Sequence, residues 1–158
     1  MGIVRHLQHW LIGSGPDLVV NDFVPDDHYL RQWADTFPWD AMAAAVDRHR
    51  AIHFPKETKR GRPPVSTRVL LALEILKAEL ACSDEQICSR LRTDFAVMYA
   101  CGLERVQADR HQSHFVLPEV LAQFRRRLDA TLMAELLQIQ STAAMEEDLV
   151  RPSHLVVD

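Results

Sequence analysis

Apolar residues recur at helical spacing along most of the chain, and prolines, glycines and short polar side chains interrupt them. After Pro25, Asp26 or Asp27 can cap free backbone N–H groups. Tyr29, Leu30 and Trp33 then repeat at helical spacing until Pro38 breaks the pattern. Asp40 opens a second predicted helix through about His49, with Met42, Ala43, Ala45 and Val46 inward and Asp47, Arg48 and Arg50 outward. Residues 69–82, VLLALEILKAELAC, are apolar on nearly every side, with Glu74, Lys77 and Glu79 the only charges, so this helix belongs at the centre. Ser83 and Gln86 have the spacing of a capping box, which predicts a very short break and a new helix over 84–92. Its inner side is Ile87, Cys88 and Leu91; Glu85, Ser89, Arg90 and Arg92 face out.

A short helix is expected from Asp94 to a stop at Gly102, followed by polar loop over residues 104–117. Pro118 then starts a long amphipathic helix to about Gln140, striped by Val120, Leu121, Phe124, Leu128, Leu132, Leu136 and Leu137. The last six residues, SHLVVD, read as a β-strand, which has no stability without partners. The predicted class is therefore an all-α helical bundle with a helix-turn-helix-like pair at 69–82 and 84–92, plus a single C-terminal strand stub. The predicted organisation is an N-terminal arm over 1–20, a helical domain over 21–140, a linker over 141–152 and the strand over 153–158.

With 158 residues and 47% hydrophobic composition, the chain can build one ordinary core. A formal net charge of -4 rules out a uniformly basic protein, so any nucleic-acid footprint must be local. Cations do segregate. Asp17 to Asp40 holds six aspartates and only Arg31, whereas Lys56, Lys59, Arg60, Arg62 and Arg68 stand against Glu57 alone, and Arg125, Arg126 and Arg127 form a second block. On charge alone, a solvated face accounts for such blocks more readily than a DNA-facing one. Cys82, Cys88 and Cys101 form no CxxC pair and sit among apolar residues, as reduced core cysteines of a cytoplasmic protein would. No stretch has the length of a membrane span, and no membrane partner is expected.

Candidate chemistry is sparse. In TKRGRPPVS, residues 58–66, Arg60-Gly61-Arg62-Pro63 matches the core of an AT-hook, whose arginines enter a narrow minor groove. Gly61 and the two prolines more readily serve as punctuation between helices. In the helix-turn-helix-like pair, Gln86, Ser89, Arg90 and Arg92 are the side chains placed to read bases. His111 and His114 lack a third ligand of suitable type, so no metal site is expected there. Asp158 ends an aliphatic strand, as the first carboxylate of a two-metal phosphoryl-transfer site would, but its partner carboxylates are absent from this chain.

Several stretches in order, LVVNDFVPDDHYLRQW, RGRPPVSTRVLLALEILKAELACSDEQICSRLRTDFAVMYACGL, FRRRL and HLVVD, resemble the N-terminal (InsH-like) region of bacterial insertion-sequence DDE transposases. The resemblance rests on Val24-Pro25 with His28 and Leu30, on Gly61-Arg62-Pro63, and on Ser83-Asp84 with Leu91-Arg92. Gly102-Leu103 and Phe124 to Leu128 complete it. It implies a helical DNA-binding domain ahead of a ribonuclease-H-like catalytic domain, with double-stranded DNA at the terminal inverted repeats as partner. It also makes Asp158 the first catalytic aspartate, a ligand of Mg2+ in a complete transposase, with no cofactor held by this chain alone. The expected product is an end-recognising fragment without catalysis of its own, able to pair with itself or with intact transposase. The alternatives are part of an active DDE transposase completed by another frame or chain, and a helical dimerisation or interaction module.

Overall fold

The computed structural model describes residues 18–55, 65–106 and 116–146. These form seven α-helices: α1 (Tyr29–Asp35), α2 (Trp39–His53), α3 (Thr67–Glu79), α4 (Asp84–Thr93), α5 (Phe95–Ala100), α6 (Pro118–Arg125) and α7 (Ala130–Glu146). Helix α3 is the axis of the fold: Val69, Leu70, Leu71, Ala72, Leu73 and Leu76 are all buried, and α2, α4 and α6 pack around it. Its near-uniform apolar text is thus explained by neighbours on several sides. Helices α1 and α4 pack on α5, and α7 packs on α2.

The local stop signals act as their chemistry dictates. Helix α3 ends in a Schellman turn, with the Cys82 N–H donating to the Lys77 carbonyl at 3.0 Å and the Ala81 N–H to Ala78 at 3.3 Å. The left-handed position falls to Ala81, at φ 49, rather than to glycine. Two residues on, the Ser83 hydroxyl accepts from the Gln86 N–H at 3.2 Å and the Gln86 carbonyl oxygen accepts from the Ser83 N–H at 2.9 Å, completing the predicted capping box. Asp94 caps α5 through the N–H groups of Ala96 and Val97. Gly102, at φ 75, closes α5 with a second Schellman turn through Tyr99 and Met98.

Three expectations are corrected. The predicted helix 118–140 is two helices, because Arg125 to Leu128 tighten into a turn and Asp129 caps α7, its Oδ1 accepting from the Leu132 N–H at 2.8 Å. The break lets Phe124 face α3 and α4 while Leu132 and Leu136 face α2, two directions that one straight rod cannot serve. Helix α1 starts later than predicted. His28 is its cap, accepting from the Leu30 N–H through Nδ1 at 3.2 Å, after a 3-10 turn at Val20–Phe23. Helix α2 opens at Trp39 and continues to His53.

The described residues also hold an antiparallel ladder of two residues per strand, β1 (Leu18–Val19) with β2 (Arg105–Val106), in segments predicted as arm and loop. It pins Val20, which is fully buried, beside Glu104. The predicted strand at 153–158 lies outside the described residues.

Candidate nucleic-acid interface

The turn between α3 and α4 spans residues 80–83, so α4 follows α3 with almost no slack. Ile87, Cys88 and Leu91 bury its inner side, leaving Glu85, Gln86, Ser89, Arg90, Arg92 and Thr93 exposed together. The carbonyl oxygen of Gln86 is taken up by the cap, which leaves its amide N–H groups as outward donors. The guanidinium of Arg92 reaches back to the Cys88 carbonyl at 3.4 Å. Arg90 borders a cleft shared with Pro25, His28 and Asp94.

The remaining cations divide. Arg125 lies across Glu74 and Asp84, donating to both Glu74 carboxylate oxygens at 2.9 to 3.1 Å and to Asp84 at 2.6 Å, while Lys77 also grips Asp84. These hydrogen bonds, first those from Glu74, push the Arg125 pKa above its ordinary value. Arg68 is also held internally. Its guanidinium stacks on the Trp39 ring, 3.6 Å from the centroid, and Nη2 donates to the Ala100 carbonyl at 2.9 Å. Burial pulls its pKa down to about 10, still well above neutrality, and leaves Nη1 without a partner. The stacking of Arg68 on Trp39 had no signal in the sequence, since 29 positions separate the two.

Arg126 is exposed, its Nε donating weakly to the Ala122 carbonyl at 3.4 Å. Arg127 lies 5.5 Å from the ring centre of Phe54, at the foot of the segment that carries the predicted contacts Lys56, Lys59, Arg60 and Arg62. Those four residues, His111, His114 and Asp158 lie outside the described residues. The two helices flanking that segment are tied together: Thr67 donates to Asp47 Oδ1 at 2.6 Å and accepts from Arg50 Nη1 at 3.3 Å. Asp47 and Arg50, expected to face solvent only, therefore clip the end of α2 to the start of α3.

Cys88 and Cys101 are buried, and burial pushes their thiols up to about 11 and about 12, so neither is a reactive thiolate at neutral pH. Among the described residues, no helix is long and apolar enough to cross a membrane.

A family model described as "Transposase domain (DUF772)" matches residues 18–127, and the chain belongs to that family. Neither the curated proteins nor the solved structures give a match. The family agrees with the resemblance to an insertion-sequence transposase N-terminal region.

Proposed function

We propose that this chain is the DNA-binding region of an insertion-sequence transposase, and that it grips the ends of the element through two cationic surfaces. The observation that carries this reading is membership of the transposase-domain family over residues 18–127. Helix α4 follows a buried helix after a tight turn, and in this reading it serves as the second helix of a helix-turn-helix. Its Gln86 amide, Ser89, Arg90 and Arg92 are the donors that would read bases or hold phosphates. In the acidic first turn of α4, Lys77 and Arg125 neutralise Asp84 and leave Glu85 as the exposed carboxylate. The second surface is the segment with Lys56, Lys59, Arg60 and Arg62, joined by Arg126 and Arg127. Arg68 and Arg125 belong to the scaffold in this reading, because their guanidinium groups already have internal partners.

The test is a binding titration of the whole chain into duplexes from the two flanks of its gene, against random duplex, at several salt concentrations. Replacing Arg60 and Arg62 together by alanine should weaken binding and flatten the salt dependence by about one slope unit for each phosphate no longer held. Arg90→Ala should cost about 1–3 kcal/mol on the preferred sequence and little on random DNA if it reads a base. An unchanged slope in the double variant would remove the loop from the interface. Affinity for every flank equal to that for competitor would reject the reading and leave a helical interaction module.

A further inference from the structure

Eighty residues apart in the sequence, His49 and Asp129 meet at the junction of α2 and α7, with His49 Nε2 2.8 Å from Asp129 Oδ2. His53 is one turn further along α2, and its ring packs on that of His49 with centroids 4.3 Å apart. One nitrogen from each histidine and one Asp129 oxygen all lie within 4.8 Å of one another. From these positions we infer that His49, His53 and Asp129 form a binding site for a divalent metal ion of the zinc type, with water as the fourth ligand.

The donor set is chemically suited. Two imidazoles and one carboxylate favour zinc over magnesium or calcium, which prefer all-oxygen shells. Histidines at i and i+4 project from the same side of a helix, so both reach a common point. Tetrahedral ligand atoms about 2.1 Å from zinc stand about 3.4 Å from one another. His49 and Asp129 are therefore slightly closer than needed, and rotation of His53, which is exposed, brings in the third nitrogen. The carboxylate is already aimed: Oδ1 accepts from the Leu132 N–H at 2.8 Å, which leaves Oδ2 for the metal. The carbonyl end of α2 adds negative potential beside His53, its last residue.

The surroundings set the strength. The Arg48 and Glu135 pair, at 2.7 Å, bridges the same two helices and is internally neutral. Arg127 lies over the Phe54 ring, whose centre is 6.5 Å from that of His49. His49 Nδ1 is buried without an acceptor, so the supporting hydrogen bond of the tightest zinc sites is missing. That absence costs about 10- to 100-fold in affinity and points to a Kd on the order of micromolar. Such an ion would lock α2 to α7 three residues before Lys56, fixing the root of the cationic segment.

The experiment is thermal unfolding of the full chain with zinc sulfate, alongside calorimetric titration and absorption spectra with cobalt(II). At a hundredfold excess over Kd the wild-type midpoint should rise by about 5–10 °C. His53→Ala should unfold within about 1 °C of wild type without metal, because the ring is exposed, and should lose most of the rise. Asp129→Asn keeps the oxygen that caps α7 and should weaken metal binding at least tenfold. Cobalt should give the visible bands of a tetrahedral nitrogen and oxygen site. No midpoint rise in wild type, an undiminished rise in His53→Ala, or an intense cobalt-thiolate band from the cysteines would each overturn the assignment.

Discussion

Two residues in turns test the cost of a left-handed backbone. Ala81 holds a left-handed conformation at φ 49, which costs a residue with a Cβ about 1–3 kcal/mol. Glycine removes that strain but gives back about 0.4–1 kcal/mol through a more flexible unfolded chain. Ala81→Gly should therefore stabilise the protein by about 0.5–1 kcal/mol in urea unfolding, and a drop in stability would show that the turn is unstrained. Gly102 is the reverse case. At φ 75, an added Cβ would stand 3.0 Å from Arg68 Nε, so Gly102→Ala both strains the backbone and presses the guanidinium away from Trp39. A destabilisation of about 1–3 kcal/mol is expected, with a change in Trp39 fluorescence that backbone strain alone would not produce. The glycine stop was legible from residue type, whereas Ala81 was not, because alanine gives no sign of adopting a left-handed turn.

At the scale of elements, neighbouring arginines take opposite roles. Arg125 ties α6 to α3 and α4 through Glu74 and Asp84, whereas Arg126, the next residue, is exposed. Arg125→Ala should lower stability by about 1–2 kcal/mol, a figure reduced by solvent screening of a side chain 40% exposed. Arg126→Ala should change stability by less than about 0.5 kcal/mol, and under the proposed function it should weaken DNA binding. Equal destabilisation by both would dissolve the division.

The same cluster predicts a pH dependence. The hydrogen bond from Lys77, and after it Arg125, hold the Asp84 carboxyl below its ordinary value. A folded pKa below the unfolded one means the unfolded chain binds more protons as acid is added. The contribution is therefore whole above about pH 5 and is lost as pH falls through the folded value. Thermal midpoints of Asp84→Asn should consequently fall less than those of wild type between about pH 5 and 3. The block Arg125 to Arg127 was readable as cationic, but period and charge do not say which member turns inward. Glu74, 51 positions away, decides it.

For the whole molecule, α2 and α7 are the pair that close the bundle on one side, through Arg48 with Glu135 and His49 with Asp129 as well as through Leu132 and Leu136. Leu132→Ala, at a fully buried position, should cost about 2–5 kcal/mol and release α7 first in hydrogen exchange. Simultaneous loss of protection in α7 and α3 would mean instead that the bundle opens as a single unit.

Taken by itself, the sequence determined several helix starts and stops whose signal is local. Ser83 with Gln86, Asp94 and Gly102 each satisfy backbone groups within a few positions of themselves, so residue type and spacing suffice. It also marked α3 as central, because only a helix surrounded by partners can be apolar on nearly every side. The tertiary structure alone decided what depends on residues brought together from far along the chain. It stacked Arg68 on Trp39, assigned Arg125 to Glu74 and Asp84, and gathered His49, His53 and Asp129. The physical reason is common to all three: a capping bond closes over three or four residues, whereas a stacked, paired or ligating arrangement exists only once separate helices have packed against each other.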